Sequence, residues 1–114
     1  MKRLLLLPVF LLCALPTAAT TRVAIRVTPT FAFAPATVHV VATIAPDDET
    51  RAIEVVAESD AYYRSSTVPL DGEDAPRSSR FEFRRLPQGV YNVTATLIDA
   101  AGRHTVVRRQ IRIE

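Results

Sequence analysis

The side chains that most often carry out chemistry are few and scattered in this sequence. There are two histidines, His39 and His104, and one cysteine, Cys13. A transition-metal site needs three or four donors brought together, and these residues lie in distant parts of the chain. The adjacent serines Ser65 and Ser66 lack both the G-x-S-x-G turn and a recognisable base that would activate a nucleophile. We therefore predict no catalytic residue and no cofactor, and we expect that the chain is not an enzyme.

Two acidic segments could bind a metal ion through carboxylate oxygens. The first is the run D-D-E at residues 47–49, and the second contains Asp71, Glu73 and Asp74 around Gly72. Oxygen-rich loops hold calcium in many extracellular proteins, but neither segment has the spacing of a known calcium-binding loop. We interpret both as solvated turns and predict no metal site. Asp71, Glu73 and Asp74 are the better metal candidates because Gly72 permits a tight loop.

A recognition surface is predicted around Tyr62, Tyr63 and Arg64, since tyrosine and arginine are favoured contact residues. Successive side chains of a strand point to opposite faces, so only one of the two tyrosines is expected to be free. Arg84 and Arg108 are further candidates, because arginines concentrate near the C-terminal strands. They could form a positive patch for an acidic partner, an anionic glycan or a lipid headgroup. The alternative is that they are solvated positions that discourage edge-to-edge pairing.

Alternation of apolar and polar residues recurs along most of the chain with the period of two that is typical of β-strands. Proline, glycine and aspartate separate the alternating segments, which indicates two packed antiparallel sheets. The irregular segment 30–35, between two prolines, is either a crossing between sheets or an edge strand. The predicted strands span residues 22–28, 36–44, 51–58, 61–70, 79–84, 90–98 and 105–113.

Residues 1–19 have the pattern of a cleavable secretory signal peptide. Two basic residues precede the apolar run 4–15, and the small residues Thr17 and Ala19 suit cleavage after Ala19. The apolar run is shorter than the roughly 20 residues of a transmembrane helix, which disfavours retention as a membrane anchor. A lipoprotein signal is disfavoured because Cys13 lies within the run. The sequence therefore predicts a signal peptide followed by one domain, 20–114, that is secreted or periplasmic and has no membrane span.

Cleavage of this signal would change which functions the composition permits. The formal net charge of +2 would fall to zero, because Lys2 and Arg3 would be lost together with Cys13. A near-neutral domain lacks the concentrated positive surface that nucleic-acid binding needs. Without cysteine it forms no disulfide and no cysteine-based metal site. We therefore predict that nucleic acid is not a partner.

The segment 86–95, L-P-Q-G-V-Y-N-V-T-A, combines a tight turn with a strand whose second residue is Tyr91. This pattern resembles the corner between strands E and F of immunoglobulin-like and fibronectin type III-like sandwiches of bacterial secreted proteins. The resemblance covers residues 81–113, and transthyretin-like and carboxypeptidase-regulatory-like domains share it. It implies that the Tyr91 hydroxyl hydrogen-bonds back across the corner. It also implies that Gly89 adopts a positive φ and that Pro87 presets the turn.

The resemblance and the strand pattern together predict a seven-stranded antiparallel immunoglobulin-like β-sandwich. The function expected of such a chain is that of an exported, non-catalytic binding or structural module of the cell envelope. Its partner would be an unknown protein or glycan. The alternative is an envelope assembly or chaperone-like subunit that acts through an edge strand. A small secreted enzyme is the least favoured interpretation.

Overall fold

The structure is a computed structural model that describes residues 22–114. The predicted signal peptide, 1–19, and Cys13 lie outside the described residues. A short 3-10 helix, Gly72–Asp74, precedes the sixth strand. The strands are β1 (Val23–Thr28), β2 (Phe31–Ala32), β3 (Ala36–Ile44), β4 (Thr50–Glu58), β5 (Tyr63–Pro69), β6 (Ser78–Leu86), β7 (Gly89–Asp99) and β8 (His104–Ile113). Within the described part of the chain, no helix has the length and apolar character needed to cross a membrane.

The prediction of an all-β, two-sheet sandwich is confirmed. One sheet has three strands in the order β1-β3-β6, and the other has five in the order β2-β8-β7-β4-β5. The alternation in the sequence is the alternation of burial: in β1, for example, Val23, Ile25 and Val27 are buried and the residues between them are exposed. Each sheet therefore has an inner face in the core and an outer face in solvent.

The prediction of seven strands, all antiparallel, is wrong in one respect. An eighth strand, β2, consists of two residues that pair in parallel with Arg112 and Ile113 of β8. Because β1 belongs to the other sheet, the segment between β1 and β2 crosses from one sheet to the other. A strand of two residues is too short to produce a periodic pattern, so the sequence alone does not reveal it.

The core lies between the two sheets and is built almost entirely from aliphatic and aromatic side chains. Each fully buried valine, isoleucine or leucine contributes about 1.5–3 kcal/mol relative to an exposed one. Thr50 is the one buried polar residue among those described, and its hydroxyl hydrogen-bonds to Asp47 at the β3–β4 turn. The largest fully buried side chains are Tyr91, Ile53, Leu86, Ile113, Val23, Val38, Val40, Val55 and Val93.

Tyr91 holds the corner between β6 and β7. Its side chain is completely buried, and its hydroxyl donates a hydrogen bond to the carbonyl oxygen of Pro87 at 2.7 Å. Burial raises the pKa of the Tyr91 phenol above its ordinary value, and a hydrogen bond with Ser59 opposes that rise. The tyrosine thus satisfies a backbone carbonyl at the place where the chain passes from one sheet to the other.

The prediction that Gly89 has a positive φ is wrong. The left-handed residue near this corner is Arg85, with φ 59°. A Cβ added to Gly89 would lie 3.2 Å from the Cβ of Ser59 and 3.4 Å from a ring carbon of Tyr91. Glycine is therefore needed at this position for close packing. Arg85 belongs to β6 at the irregularity where its register with β3 shifts, and the bend between β6 and β7 is at Gln88.

Candidate functional site

The predicted recognition surface of Tyr62, Tyr63 and Arg64 was expected to have one free tyrosine, and the alternation at the start of β5 leaves Tyr63 as the exposed one. Tyr62 is half-buried, and its ring meets that of Tyr91 edge-on, with centroids 6.4 Å apart. The Arg64 guanidinium donates to the Tyr62 hydroxyl at 3.1 Å and to the Arg84 carbonyl oxygen at 3.4 Å. These contacts connect β5, at the edge of the five-stranded sheet, to β6 of the three-stranded sheet. Tyr63, which is 58% exposed, lies on the outer face of the five-stranded sheet.

Arg84 and Arg108 do not form one positive patch. Arg84 is on β6, where its Nε lies 3.4 Å from a carboxylate oxygen of Glu82. Arg108 is on β8, opposite Thr94 of β7, and faces outward from the five-stranded sheet. The two arginines thus belong to different sheets, so a ligand cannot contact both on one face.

The acidic segment between β5 and β6 folds into the 3-10 helix, in which the Asp74 amide donates to the Asp71 carbonyl oxygen at 3.0 Å. The side chains of Asp71, Glu73 and Asp74 are exposed. Gly72 has a φ of 56°, a conformation that glycine adopts without strain. Among residues 22–114, no three histidine, cysteine, aspartate or glutamate side chains lie close enough to hold a metal ion.

The two histidines lie on opposite sides of the molecule. His39 is on the outer face of the three-stranded sheet, between Thr28 and Glu82 on the neighbouring strands. His104 begins β8 and pairs with Ile98, on the outer face of the five-stranded sheet. The whole thickness of the sandwich separates them, so they cannot bind one ion together.

Sheet order brings together two arginines that the sequence analysis did not connect. Arg26 of β1 and Arg80 of β6 both pair with Val41 of the central strand β3, one on each side. Adjacent strands are about 4.8 Å apart, so the Cα atoms of the two arginines are about 10 Å apart on the same outer face. Val41 lies half-buried between them.

The two arginines form the walls of a shallow groove with a volume of about 390 Å³. Beyond Val41 the next row consists of Ala24, Thr43 and Ser78, whose small side chains leave space and offer hydroxyl groups. Within residues 22–114, neither Arg26 nor Arg80 has a carboxylate within ion-pair distance, whereas four other arginines do: Arg22, Arg84, Arg103 and Arg112. We call this site, lined by Ala24, Ile25, Arg26, Val41, Thr43 and Arg80, the arginine groove.

No protein-family model matches the chain, and no curated protein matches it. Solved structures do share its fold. Superoxide reductase (neelaredoxin) from Ignicoccus hospitalis is 15% identical, with a TM-score of 0.66 over 83% of this chain and 81% of that one. A variant of the same protein is 18% identical, with a TM-score of 0.68 over 85% and 83%. The sporulation control protein Spo0M from Bacillus subtilis is 14% identical, with a TM-score of 0.50 over 82% of this chain and 49% of that one.

These likenesses overturn three predictions. The assignment to immunoglobulin-like or fibronectin type III-like domains is wrong, because the similar structures are superoxide reductases and a sporulation control protein. The prediction of a non-catalytic envelope module, or of an assembly or chaperone-like subunit, fails with it. The prediction that the chain is not an enzyme is contradicted as well, because the solved structures that share its fold include superoxide reductases, which are enzymes. A tyrosine corner reports local geometry that many sandwiches share, so it does not identify a family.

The described residues do not fit a redox-active metal centre. Reduction of superoxide is a one-electron step, and a protein metal site for such a step needs several imidazole, thiolate or carboxylate donors. In the part of the chain that the structure describes, no three such side chains converge, and His39 and His104 are on opposite faces. At identities of 15% to 18%, the likeness establishes the fold: the chain has a two-sheet sandwich similar to that of superoxide reductases.

Proposed function

We propose that the arginine groove binds an oxyanion and that the chain recognises a ligand carrying a carboxylate, phosphate or sulfate group. The observation that carries this proposal is the placement of Arg26 and Arg80 on either side of Val41, with no described carboxylate paired to either. Guanidinium groups present planar forks of N–H donors that match carboxylate and phosphate oxygens. Two such groups on one face can hold an oxyanion between them, and Thr43 adds a hydroxyl.

The two ends of the arginine groove differ, and this difference orients the proposed ligand. At one end, Glu82 is opposite His39 and adds a negative charge that is only partly balanced by Arg84. At the other end are Ala24 and Thr43, which carry no charge. Because Glu82 repels an anion, the body of the ligand extends over the small residues. A ligand with a single terminal oxyanion and an uncharged body fits this arrangement best.

The test is titration of the purified isotope-labelled protein with inorganic phosphate and with succinate, followed by amide chemical shifts. Hydrogen bonds to charged groups contribute about 1.5–3 kcal/mol each, so two of them predict dissociation constants of about 1 mM. We expect shifts centred on Arg26, Val41 and Arg80, and at least a tenfold loss of affinity in Arg26→Gln or Arg80→Gln.

The matched control for this titration is Arg103→Gln. It removes the same charge, but Arg103 is paired with Asp99 in the turn between β7 and β8, on the other sheet from the arginine groove. The control variant is expected to bind phosphate as the unmodified protein does. Equal weakening in all three variants would show a diffuse charge effect and would overturn the proposal, as would shifts spread evenly over both sheets.

We also propose that residues 1–19 direct export of the chain. The support is the sequence alone: a basic start, the apolar run 4–15 and small residues before a cut after Ala19. N-terminal sequencing of the protein recovered from the periplasm or medium is expected to begin at Thr20. Leu11→Arg, which interrupts the apolar run, is expected to abolish export. Recovery of the intact chain in the membrane fraction would instead show an anchor.

A further inference from the structure

The outer face of the five-stranded sheet carries an ordered arrangement of charges on β4, β7 and β8. Residues directly opposite one another form rows across these strands, and three consecutive outward-facing rows carry the charges of interest. Val106 is 53% exposed in one row, and Val56 is half-buried in the next. The rows are Glu54–Thr96–Val106, Val56–Thr94–Arg108 and Glu58–Asn92–Gln110, and we call them together the β4–β7–β8 face.

Opposite charges on this face are separated by the middle strand. Glu54 and Glu58 lie on β4, and Arg108 lies on β8, with Thr94 and Thr96 of β7 between them. Among residues 22–114, none of these three charged side chains has an ion-pair partner. The short side chains of β7 make the centre of the face flat. A flat face with acid on one side and base on the other is complementary to itself after a half-turn.

We propose that the β4–β7–β8 face packs against the same face of a second copy of this chain, with a two-fold axis parallel to β7. This rotation places β8 of each copy over β4 of the other and keeps the rows level. Arg108 of one copy then lies over Val56 of the other. Alternate residues of a strand are about 7 Å apart, so the arginine is flanked by Glu54 and Glu58. The same contact is made twice in the dimer.

The charges select this axis over the other simple arrangement. A two-fold axis perpendicular to the strands would place β8 over β8 and β4 over β4. Arg108 would then face its own copy, and Glu54 and Glu58 would face theirs, which like-charge repulsion opposes. Only the axis along β7 gives every charge on the face an opposite partner.

The size of the face predicts a weak dimer. Three strands about 4.8 Å apart and about 25 Å long present roughly 360 Å² per copy, or about 700 Å² in total. That area is smaller than in stable specific complexes, so we expect weak association with a dissociation constant of about 0.1 mM. Since the contacts between charges are at the surface, association is expected to weaken by about tenfold or more between 0.05 M and 0.5 M salt.

Sedimentation velocity of the purified protein over a range of concentrations measures the association, and charge reversal tests its geometry. Arg108→Glu places a carboxylate over Glu54 and Glu58, so this variant is expected to be monomeric. In the double variant E54R/E58R, Arg108 of one copy would lie over two arginines of the other, so this variant is also expected to be monomeric. When the two variants are mixed, both cross-contacts are again of opposite charge, and dimers are expected to return.

The outcomes of the mixing experiment separate a second copy from other occupants of the face. Restored dimers in the mixture would establish that the copies meet through this face. Loss of dimers in Arg108→Glu alone would select the axis along β7, because the perpendicular axis places like charges together before and after that change. Monomers in the unmodified protein at about 1 mM, or no restoration on mixing, would overturn it and would leave the face to a different partner. Arg84→Glu, on the opposite sheet, is the control and is expected to dimerise normally. Circular dichroism checks that each variant folds.

Discussion

The two outer faces of the sandwich use arginine in different ways. On the three-stranded sheet, Arg26 and Arg80 converge on Val41 from both sides, so two like charges share one groove. On the five-stranded sheet, Arg108 is two strands away from Glu54, so opposite charges are held apart. In the two proposals above, a small anion completes the first arrangement and a surface with the reverse charge pattern completes the second. Strand order, rather than residue type, produces this difference.

The largest effect is expected from reversing the charge of the arginine groove. In Arg26→Glu combined with Arg80→Glu, two donors are lost and two repulsive charges are introduced. Two hydrogen bonds to charged groups correspond to about 3–6 kcal/mol, which is a loss of about 100-fold or more in phosphate affinity. Amide shift titration measures this loss. Sedimentation of the same variant is expected to show unchanged self-association, because the β4–β7–β8 face is untouched.

Tyr91→Phe is expected to have a smaller effect, which is a loss of unfolding free energy for the sandwich as a whole. The change removes the hydroxyl that donates to the Pro87 carbonyl oxygen at 2.7 Å and leaves a partly buried acceptor without this donor. The expected cost is about 1–2 kcal/mol of unfolding free energy, measured by urea denaturation. Phosphate binding and self-association should persist, since the corner supports both sheets and belongs to neither outer face. An unchanged denaturation midpoint would contradict the role assigned to Tyr91.

Gly89→Ala is expected to cost about 1 kcal/mol through overpacking. The new methyl group would lie 3.2 Å from the Cβ of Ser59 and 3.4 Å from the ring of Tyr91. Ser59→Gly in the same chain should recover part of that loss. Gly102→Ala is the contrasting variant, because Gly102 has a φ of 81° and a Cβ added to it would meet no other atom within 4 Å. Its cost comes from the backbone, so Ser59→Gly should not relieve it.

The smallest expected effect is a loss of stability at alkaline pH. Burial raises the pKa of the Tyr91 phenol above 10.0, so the folded chain holds this proton more tightly than the unfolded chain does. The resulting stabilisation is complete below the ordinary tyrosine pKa and declines as the pH rises through the folded value. Unfolding free energies from about pH 8 to about pH 11 should therefore fall less steeply in Tyr91→Phe than in the unmodified protein.

The strand pattern could be predicted because it is local. The strand predicted at 36–44 is β3, Ala36–Ile44, since alternation of apolar and polar residues directly reflects which face of a strand is buried. The same alternation placed Tyr62 and Tyr63 on opposite faces. It could not reveal β2, which is two residues long, or the packing role of Gly89, which depends on contact with Ser59, just after β4.

The sequence by itself determined the all-β class, the approximate bounds of the longer strands and the inward or outward direction of each side chain. These properties follow from a backbone whose side chains alternate, whatever the strands pair with. Only the tertiary structure decided that Arg26 and Arg80 flank Val41, and that Glu54 and Arg108 lie on one face across β7. Those neighbours depend on which strands pair and in what register, and many pairings satisfy the same alternation.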